Sequence, residues 1–229
     1  MTFNTIRQLF RGLYFTNYYG YKLGKSLTIE ETRKYRLAYT NTQLNSLNIT
    51  IKVKNKEKIP KDGQYLLISN HRSIIDPPII EMALLGSNIF GVWVAKKELF
   101  YSFLFGIFVR NAGSILIDRE KSQMSGFFAD IKASVKRGES IFIFPEGTRN
   151  KSDKKLTTFK EGSRIIALKN RLPILPVYIE TNAGKAFENV INDSKLKQEI
   201  TVVIGDLIDY KNRENLEMLY RNMFDLNDK

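Results

Sequence analysis

Tyr65-Leu66-Leu67-Ile68-Ser69-Asn70-His71-Arg72-Ser73-Ile74-Ile75-Asp76-Pro77-Pro78 carries a short apolar run into a polar turn closed by two prolines. Tyr65–Ser69 has the length and composition of a buried strand. The prolines bias Asp76 and Pro77 away from helical dihedrals, so a helix is expected to start at Pro78. His71 and Asp76 are five positions apart. On a regular helix that separation turns two side chains roughly 140° away from each other. A strand-to-helix turn can instead fold the carboxylate back onto the imidazole. There Asp76 would fix the ring's tautomer and support the imidazolium formed when His71 takes a proton. A lone His-x4-Asp pair is a weak signal. Its place at the C-terminal end of a buried strand strengthens it, because sites in α/β sheets collect there.

Outward from this stretch, short apolar runs recur at Ile89–Ala95, Ser114–Ile117, Ile141–Phe144, Ile174–Ile179 and Thr201–Ile204. Ile49, Ile51 and Val53 alternate with polar residues as in a half-buried strand. Helix-like stretches lie around Pro78–Leu85, Lys121–Arg137 and Lys160–Asn170. This alternation predicts an α/β domain: a mixed, largely parallel sheet flanked by helices, preceded by an N-terminal amphipathic helical segment. The expected division is a helical segment over 1–48, a candidate membrane-surface anchor, and an α/β domain over 49–229. Asn212 to Phe224 reads as an exposed amphipathic helix.

In the N-terminal segment, Phe3, Ile6, Leu9, Phe10, Leu13 and Tyr14 fall at helical spacing, with Arg7 and Arg11 off the stripe. The first 29 residues also hold Lys22 and Lys25, several aromatics and no acid. Such a helix either docks on the protein's own core or lies in a lipid interface. Thr28 and Glu31 have capping-box spacing, placing a second helix near Ile29.

A second motif follows Ile141–Phe144: Phe144-Pro145-Glu146-Gly147-Thr148-Arg149-Asn150. Gly147 permits positive φ or close backbone approach, and Arg149 offers a planar fork suited to phosphate. Gly113-Ser114-Ile115-Leu116-Ile117-Asp118-Arg119, Lys96-Lys97-Glu98 and Phe159-Lys160-Glu161-Gly162 add charges at other element ends. Each alone is most often a solvated turn or surface pair. Together they can converge on one sheet edge and make a positive pocket beside His71.

The 229 residues suffice for one domain with a full core. A net charge of +12 favours an anionic partner: nucleic acid, an acidic membrane surface or a phosphorylated substrate. Absence of cysteine excludes disulfides, thiolate metal sites and cysteine nucleophiles, and a single histidine excludes a multi-His metal centre. Met82–Ala95, uncharged over 14 residues, and Leu99–Val109, uncharged over 11, fall short of a spanning helix.

The ordered set Asn-His-x4-Asp, Lys-Lys-Glu-Leu, Gly-Ser-Ile-Leu-Ile-Asp-Arg, Phe-Pro-Glu-Gly-Thr-Arg and Leu-Pro-Ile-Leu-Pro-Val resembles the glycerolipid acyltransferase family, over roughly residues 60 to 180. The resemblance implies transfer of a fatty acyl group from a thioester to a hydroxyl of a lysolipid such as lysophosphatidic acid, at the cytoplasmic face of the cell membrane. His71 would be the general base and Asp76 its orienting partner. Arg119, Arg149 and Lys160 would bind the acceptor's phosphate. Glu146, Gly147 and Thr148 belong to the acceptor-binding motif, where Gly147 would offer a backbone donor. A lysine of the Lys96-Lys97 pair, taken as Lys97, would stabilise the oxyanion. The implied partners are an acyl carrier protein or coenzyme A thioester, the lysolipid and an anionic membrane surface; no cofactor and no metal are expected. The stretch Phe100–Phe105 lacks a proline that the family often has, and Asn150 stands where serine is common.

Without a cysteine or a Gly-x-Ser-x-Gly elbow, the sequence offers no acyl-enzyme nucleophile, so direct attack in a ternary complex is expected. Glycerol 3-phosphate or another lysolipid is an alternative acceptor. A basic nucleic-acid-binding module would explain the charge but not the strand-end motifs. A catalytically inactive membrane-binding relative would have no need of both His71 and Asp76.

Overall fold

The computed structural model describes residues 3–118 and 124–226. Two helices, α1 (Phe3–Leu23) and α2 (Ile29–Ser46), precede the first strand, β1 (Ile49–Lys54). Next come β2 (Leu66–Ser69), α3 (Asp76–Ala83), β3 (Gly91–Lys96), α4 (Lys97–Phe100), α5 (Gly106–Asn111) and β4 (Ile115–Ile117). The remainder is α6 (Ser125–Lys136), β5 (Ser140–Ile143), α7 (Gly162–Asn170), β6 (Ile174–Ile179), α8 (Ala183–Asn192), β7 (Gln198–Ile204) and α9 (Leu216–Met223).

The seven strands form one sheet in the order β1-β7-β6-β2-β5-β3-β4. Every pairing is parallel except β6 with β7. The mixed, largely parallel sheet expected from the alternation of runs is therefore present. Strand β2 lies at its centre, with Leu66 opposite Ile141 on one side and Ile174 on the other. All residues of β2 and β6 are buried, as continuous apolar runs are when helices cover both sheet faces.

Pleating divides the core into two layers. Leu67, Phe142, Leu175 and Val177 face α2, α3 and α8, where Leu44, Ile79, Ile80, Ala186 and Val190 meet them. Leu66, Ile68 and Ile141 face the other way, against Phe127 and Ile131 of α6, Ile166 of α7 and Leu216 and Tyr220 of α9. Pro176 stands within β6, yet its carbonyl still accepts the Gly205 N–H at 2.9 Å where β7 joins.

Two expectations change. Helix α3 begins at Asp76 rather than Pro78, with its prolines in the first turn. A missing N–H is harmless there, because those amides have no intrahelical partner anyway. Helix α9 is docked rather than exposed: Leu216 and Tyr220 are buried in the second layer. For α1, where docking on the core and a lipid interface were both open, the apolar stripe is largely the exposed side. Thr5, Gln8 and Thr16 are buried, while Ile6, Leu9, Phe10, Tyr14, Tyr18 and Tyr21 are exposed, Phe10 to 68%.

The buried side of α1 works by hydrogen bonding and close approach. Gln43 of α2 donates to Gly12 O at 2.8 Å and to Thr16 Oγ1 at 3.1 Å. At Gly20 a Cβ would lie 2.9 Å from the Phe108 amide nitrogen, so only glycine lets α1 and α5 touch at this separation. Thr28 caps α2 by accepting from Glu31 N, while the Glu31 carboxylate takes the Leu27 N–H. This is the predicted capping box displaced by one residue. No helix among the described residues is long and apolar enough to cross a membrane.

Candidate active site

Because β2, β5, β3 and β4 are mutually parallel neighbours, their C-terminal ends share one sheet edge. His71 follows β2, Glu146 follows β5, Lys97 follows β3 and Asp118 follows β4. The topology thus lines up four of the segments singled out in the sequence.

At the centre, the His71 Nδ1 lies 2.8 Å from Asp76 Oδ2. The imidazole is 18% exposed and the carboxylate 1%. The same Oδ2 also accepts the Arg72 N–H at 2.6 Å and the Ser73 N–H at 2.7 Å. Oδ1 is buried without a hydrogen-bond partner among the described residues. A carboxylate carries its charge through two backbone donors and holds the ring with Nδ1 protonated, leaving Nε2 as the acceptor. The ring lies flat on Phe144, with centroids 4.0 Å apart and planes 7° from parallel.

The backbone of His71 is gripped on both sides. Its N–H donates to Glu146 Oε1 at 2.7 Å, and its carbonyl accepts the Asn150 N–H at 2.6 Å. Glu146 is nearly fully buried, and its Oε2 accepts the Thr157 N–H at 2.7 Å and the Thr157 hydroxyl. It therefore ties the His71 turn to the loop after β5. Burial pushes its carboxyl above the usual 4.5, against the hydrogen bonds from Thr157 and His71 that pull it down.

That shift has a checkable sign. Between 4.5 and the raised value, the folded chain binds more protons than the unfolded one, so this group makes stability fall as pH rises through the window. Glu146→Gln removes the contribution. Its unfolding free energy, followed by denaturant titration from pH 4.5 upward, should lose less with rising pH than that of the wild type. A difference between the two proteins that stays constant with pH would contradict this.

The preceding residue, Asn70, is held by groups far away in sequence. Its side-chain amide donates to Ile179 O at 3.0 Å and accepts Ile179 N–H at 2.8 Å, extending the β2–β6 pairing by one step. Its backbone N–H donates to the Tyr220 hydroxyl at 3.2 Å, which itself donates to Val177 O at 2.7 Å. Burial raises the Tyr220 phenol well above the usual 10.0, which keeps it a neutral donor.

Of the other predicted residues, Lys97 reaches Asp118 at 3.1 Å, and that hydrogen bond and charge raise its ammonium above the usual 10.5. Arg149 and Thr148 lie on the loop after β5, both exposed. Gly147 adopts φ 74°, the positive value its residue type permits, but its N–H donates to Phe144 O at 2.9 Å. That amide closes the turn, so the expected role as a substrate donor does not fit it. Lys160 is exposed, and its N–H donates to Pro145 O at 2.8 Å. Arg119 lies outside the described residues. The sequence reading missed Asn70's side chain, Phe144's stacking and Tyr220. Only Asn70, adjacent to the histidine, carried a local signal.

A protein-family model described as acyltransferase matches residues 50–180. This chain belongs to the acyltransferase family. The match takes in β1 to β6 and the whole His71–Asp76 and Glu146–Arg149 region. Acyltransferases named 1-acyl-sn-glycerol-3-phosphate acyltransferase are among its relatives. The Helicobacter pylori protein is 38% identical over 138 residues, covering 59% of this chain and 56% of that one. The Borreliella burgdorferi protein is 32% identical over 180 residues, covering 76% and 70%. The match spans about half the length of the Helicobacter pylori relative and of a Streptococcus pneumoniae relative, 56% and 48%. The crystal structure of the 1-acyl-sn-glycerophosphate (LPA) acyltransferase from Thermotoga maritima has the same fold, with a TM-score of 0.68, 23% identity and coverage of 97% of this chain and 93% of that one.

Proposed function

We propose that this chain transfers a fatty acyl group from an acyl thioester to the free hydroxyl of 1-acyl-sn-glycerol 3-phosphate, giving phosphatidic acid. The observation that carries the proposal is the 2.8 Å pair of His71 and Asp76 at the C-terminal edge of the parallel strands. The acceptor hydroxyl gives its proton to His71 Nε2 as its oxygen attacks the thioester carbonyl. Asp76 supports the imidazolium that results. The tetrahedral intermediate collapses, the C–S bond breaks, and the imidazolium returns the proton to the departing thiolate. No acyl-enzyme forms. Arg119, Arg149 and Lys160 bind the acceptor's phosphate, and Lys97 stabilises the developing negative charge. The donor is an acyl carrier protein or coenzyme A thioester, and the net charge of +12 attracts either of these anions.

An assay with lysophosphatidic acid and both acyl thioesters tests the reaction. Phosphatidic acid formation supports it; acylation of glycerol 3-phosphate alone would move the assignment to that acceptor. A covalent acylated protein trapped on the reaction path would overturn direct attack.

The outward-facing aromatic side of α1 supports peripheral attachment to an anionic membrane, at its cytoplasmic face. It continues onto the α4–α5 connection, since Asn17 of α1 donates to Leu104 O at 3.2 Å. There Tyr101 and Phe103 are exposed, Phe103 to 95%. Burying an aromatic or aliphatic side chain contributes about 1.5–3 kcal/mol, and both rings are available to lipid at no cost to the core. The double variant Phe10→Glu, Phe103→Glu should lose at least roughly tenfold in affinity for anionic liposomes by co-sedimentation, with an unchanged Tm. Undiminished binding would remove this face from membrane attachment.

A further inference from the structure

The hydrogen bond from His71 Nδ1 to Asp76 fixes one direction of the imidazole. It does not by itself fix the ring plane, because coupled changes of χ1 and χ2 can keep that bond while tilting the ring and displacing Nε2. The plane is set elsewhere. Phe144, stacked against His71, is itself stacked with Trp93, with centroids 4.9 Å apart and planes 21° from parallel. Trp93 lies on β3 opposite Phe142 of β5, and it meets that ring edge-on at 5.3 Å.

Trp93 is anchored at its far end. Its indole N–H donates to Glu81 Oε1 of α3 at 2.8 Å. The same oxygen pairs with the Arg36 guanidinium of α2, whose side chain is buried, and the Glu81 side chain is nearly so. Arg36 in turn donates to Gly91 O at 2.6 Å and lies over the Phe90 ring at 4.6 Å. An indole with its N–H satisfied and its faces packed has one available orientation. Helix α3 thus acts on the imidazole twice. Asp76 at its first turn aims Nδ1, and Glu81 fixes the indole that backs Phe144.

We propose that Trp93 is a positioning residue for the His71 imidazole, acting through the stacked ring of Phe144 and held in place by Glu81 and Arg36. The proposal rests on the reading of His71 as the general base. Trp93 touches no substrate; it sets the angle at which Nε2 meets the acceptor hydroxyl. Its loss therefore lowers kcat and leaves the KM values of acceptor and donor unchanged.

The chain has one histidine, so selective imidazole 15N labelling of the full-length protein gives NMR signals from His71 alone. In the wild type, the two ring nitrogens should report a single tautomer with Nδ1 protonated. Trp93→Leu and Phe144→Leu should each average those signals and lower kcat on the order of three- to tenfold, the range expected for loss of one aromatic stacking contact. The double variant should lose no more than either single one, because both act through one stack. Trp93→Phe keeps an aromatic face but loses the Glu81 anchor, and its kcat should fall between those of the wild type and Trp93→Leu. The proposal is overturned if Trp93→Leu lowers Tm while the kcat and the imidazole signals stay as in the wild type, for then the indole is core filling only. It is overturned equally if Trp93→Phe loses as much as Trp93→Leu. A wild type without acyl transfer would sink the functional reading instead. The NMR comparison would still decide whether Trp93 orders the ring, since it requires no turnover.

Discussion

His71→Ala is expected to reduce the rate of acyl transfer by on the order of 10²–10⁴, the loss typical when a general base is removed. An alcohol is a poor nucleophile near neutral pH, and the sequence holds no second imidazole to take over. The loss should fall on kcat. The cations proposed to bind the acceptor lie on other segments, which the substitution does not touch. Fold damage should be small, because Asp76 Oδ2 keeps the Arg72 and Ser73 amides as donors after the ring is gone. Circular dichroism and Tm close to the wild type, with lost turnover, are the expected results. Retention of more than about a tenth of the wild-type rate would contradict the assignment.

At Asp76, two substitutions should separate charge from orientation. All three donors converge on Oδ2, and Oδ1 is without a partner among the described residues. An asparagine side chain here can place its carbonyl oxygen where Oδ2 stands and its amide nitrogen in the unpartnered position. Asp76→Asn then keeps all three hydrogen bonds and the tautomer, and loses only the negative charge behind the imidazolium. A hydrogen bond to a charged group is worth about 1.5–3 kcal/mol, so kcat should fall roughly ten- to a hundredfold. Asp76→Ala removes the acceptor altogether. It should cost a further order of magnitude or so in kcat, together with about 1–3 kcal/mol of stability for each backbone amide left without an acceptor. Equal kcat in the two variants would mean that the charge, rather than the geometry, carries the whole effect. Steady-state kinetics with denaturant unfolding of both proteins makes the comparison.

The legibility of this chain varies with the range of the interactions involved. Apolar runs locate β2 to β7, and β2 and β6, buried throughout, need no periodicity beyond length and composition. His71, Asp76, Glu146 and Lys97 are legible because each lies just beyond its strand, and parallel strands place all such positions at one edge. Other features depend on distant partners. The start of α3 escapes the sequence because two prolines read as a barrier, although a first helical turn accepts them. Helix α9 reads as exposed because nothing near Tyr220 signals that its hydroxyl serves Asn70, 150 positions earlier. The facing of α1 is hidden too: beside Leu23 its buried side holds Thr5, Gln8, Thr16 and Gly20, which no hydrophobic pattern selects. Trp93 reads as an ordinary apolar residue of β3 until Phe144 and Glu81 are brought to it.

The bond between Asn70 and Tyr220 also constrains the order in which the nascent chain becomes active. The ribosome delivers α1 and α2 before the sheet and Tyr220 among the last described residues, and β1 at the sheet margin has only β7 to pair with. Until α9 has emerged, the turn holding His71 lacks one of its supports, and until β7 has, β1 has no neighbour. The exposed aromatic side of α1 is therefore synthesised well before the last support of the His71 turn, so the proposed lipid attachment would precede the first turnover.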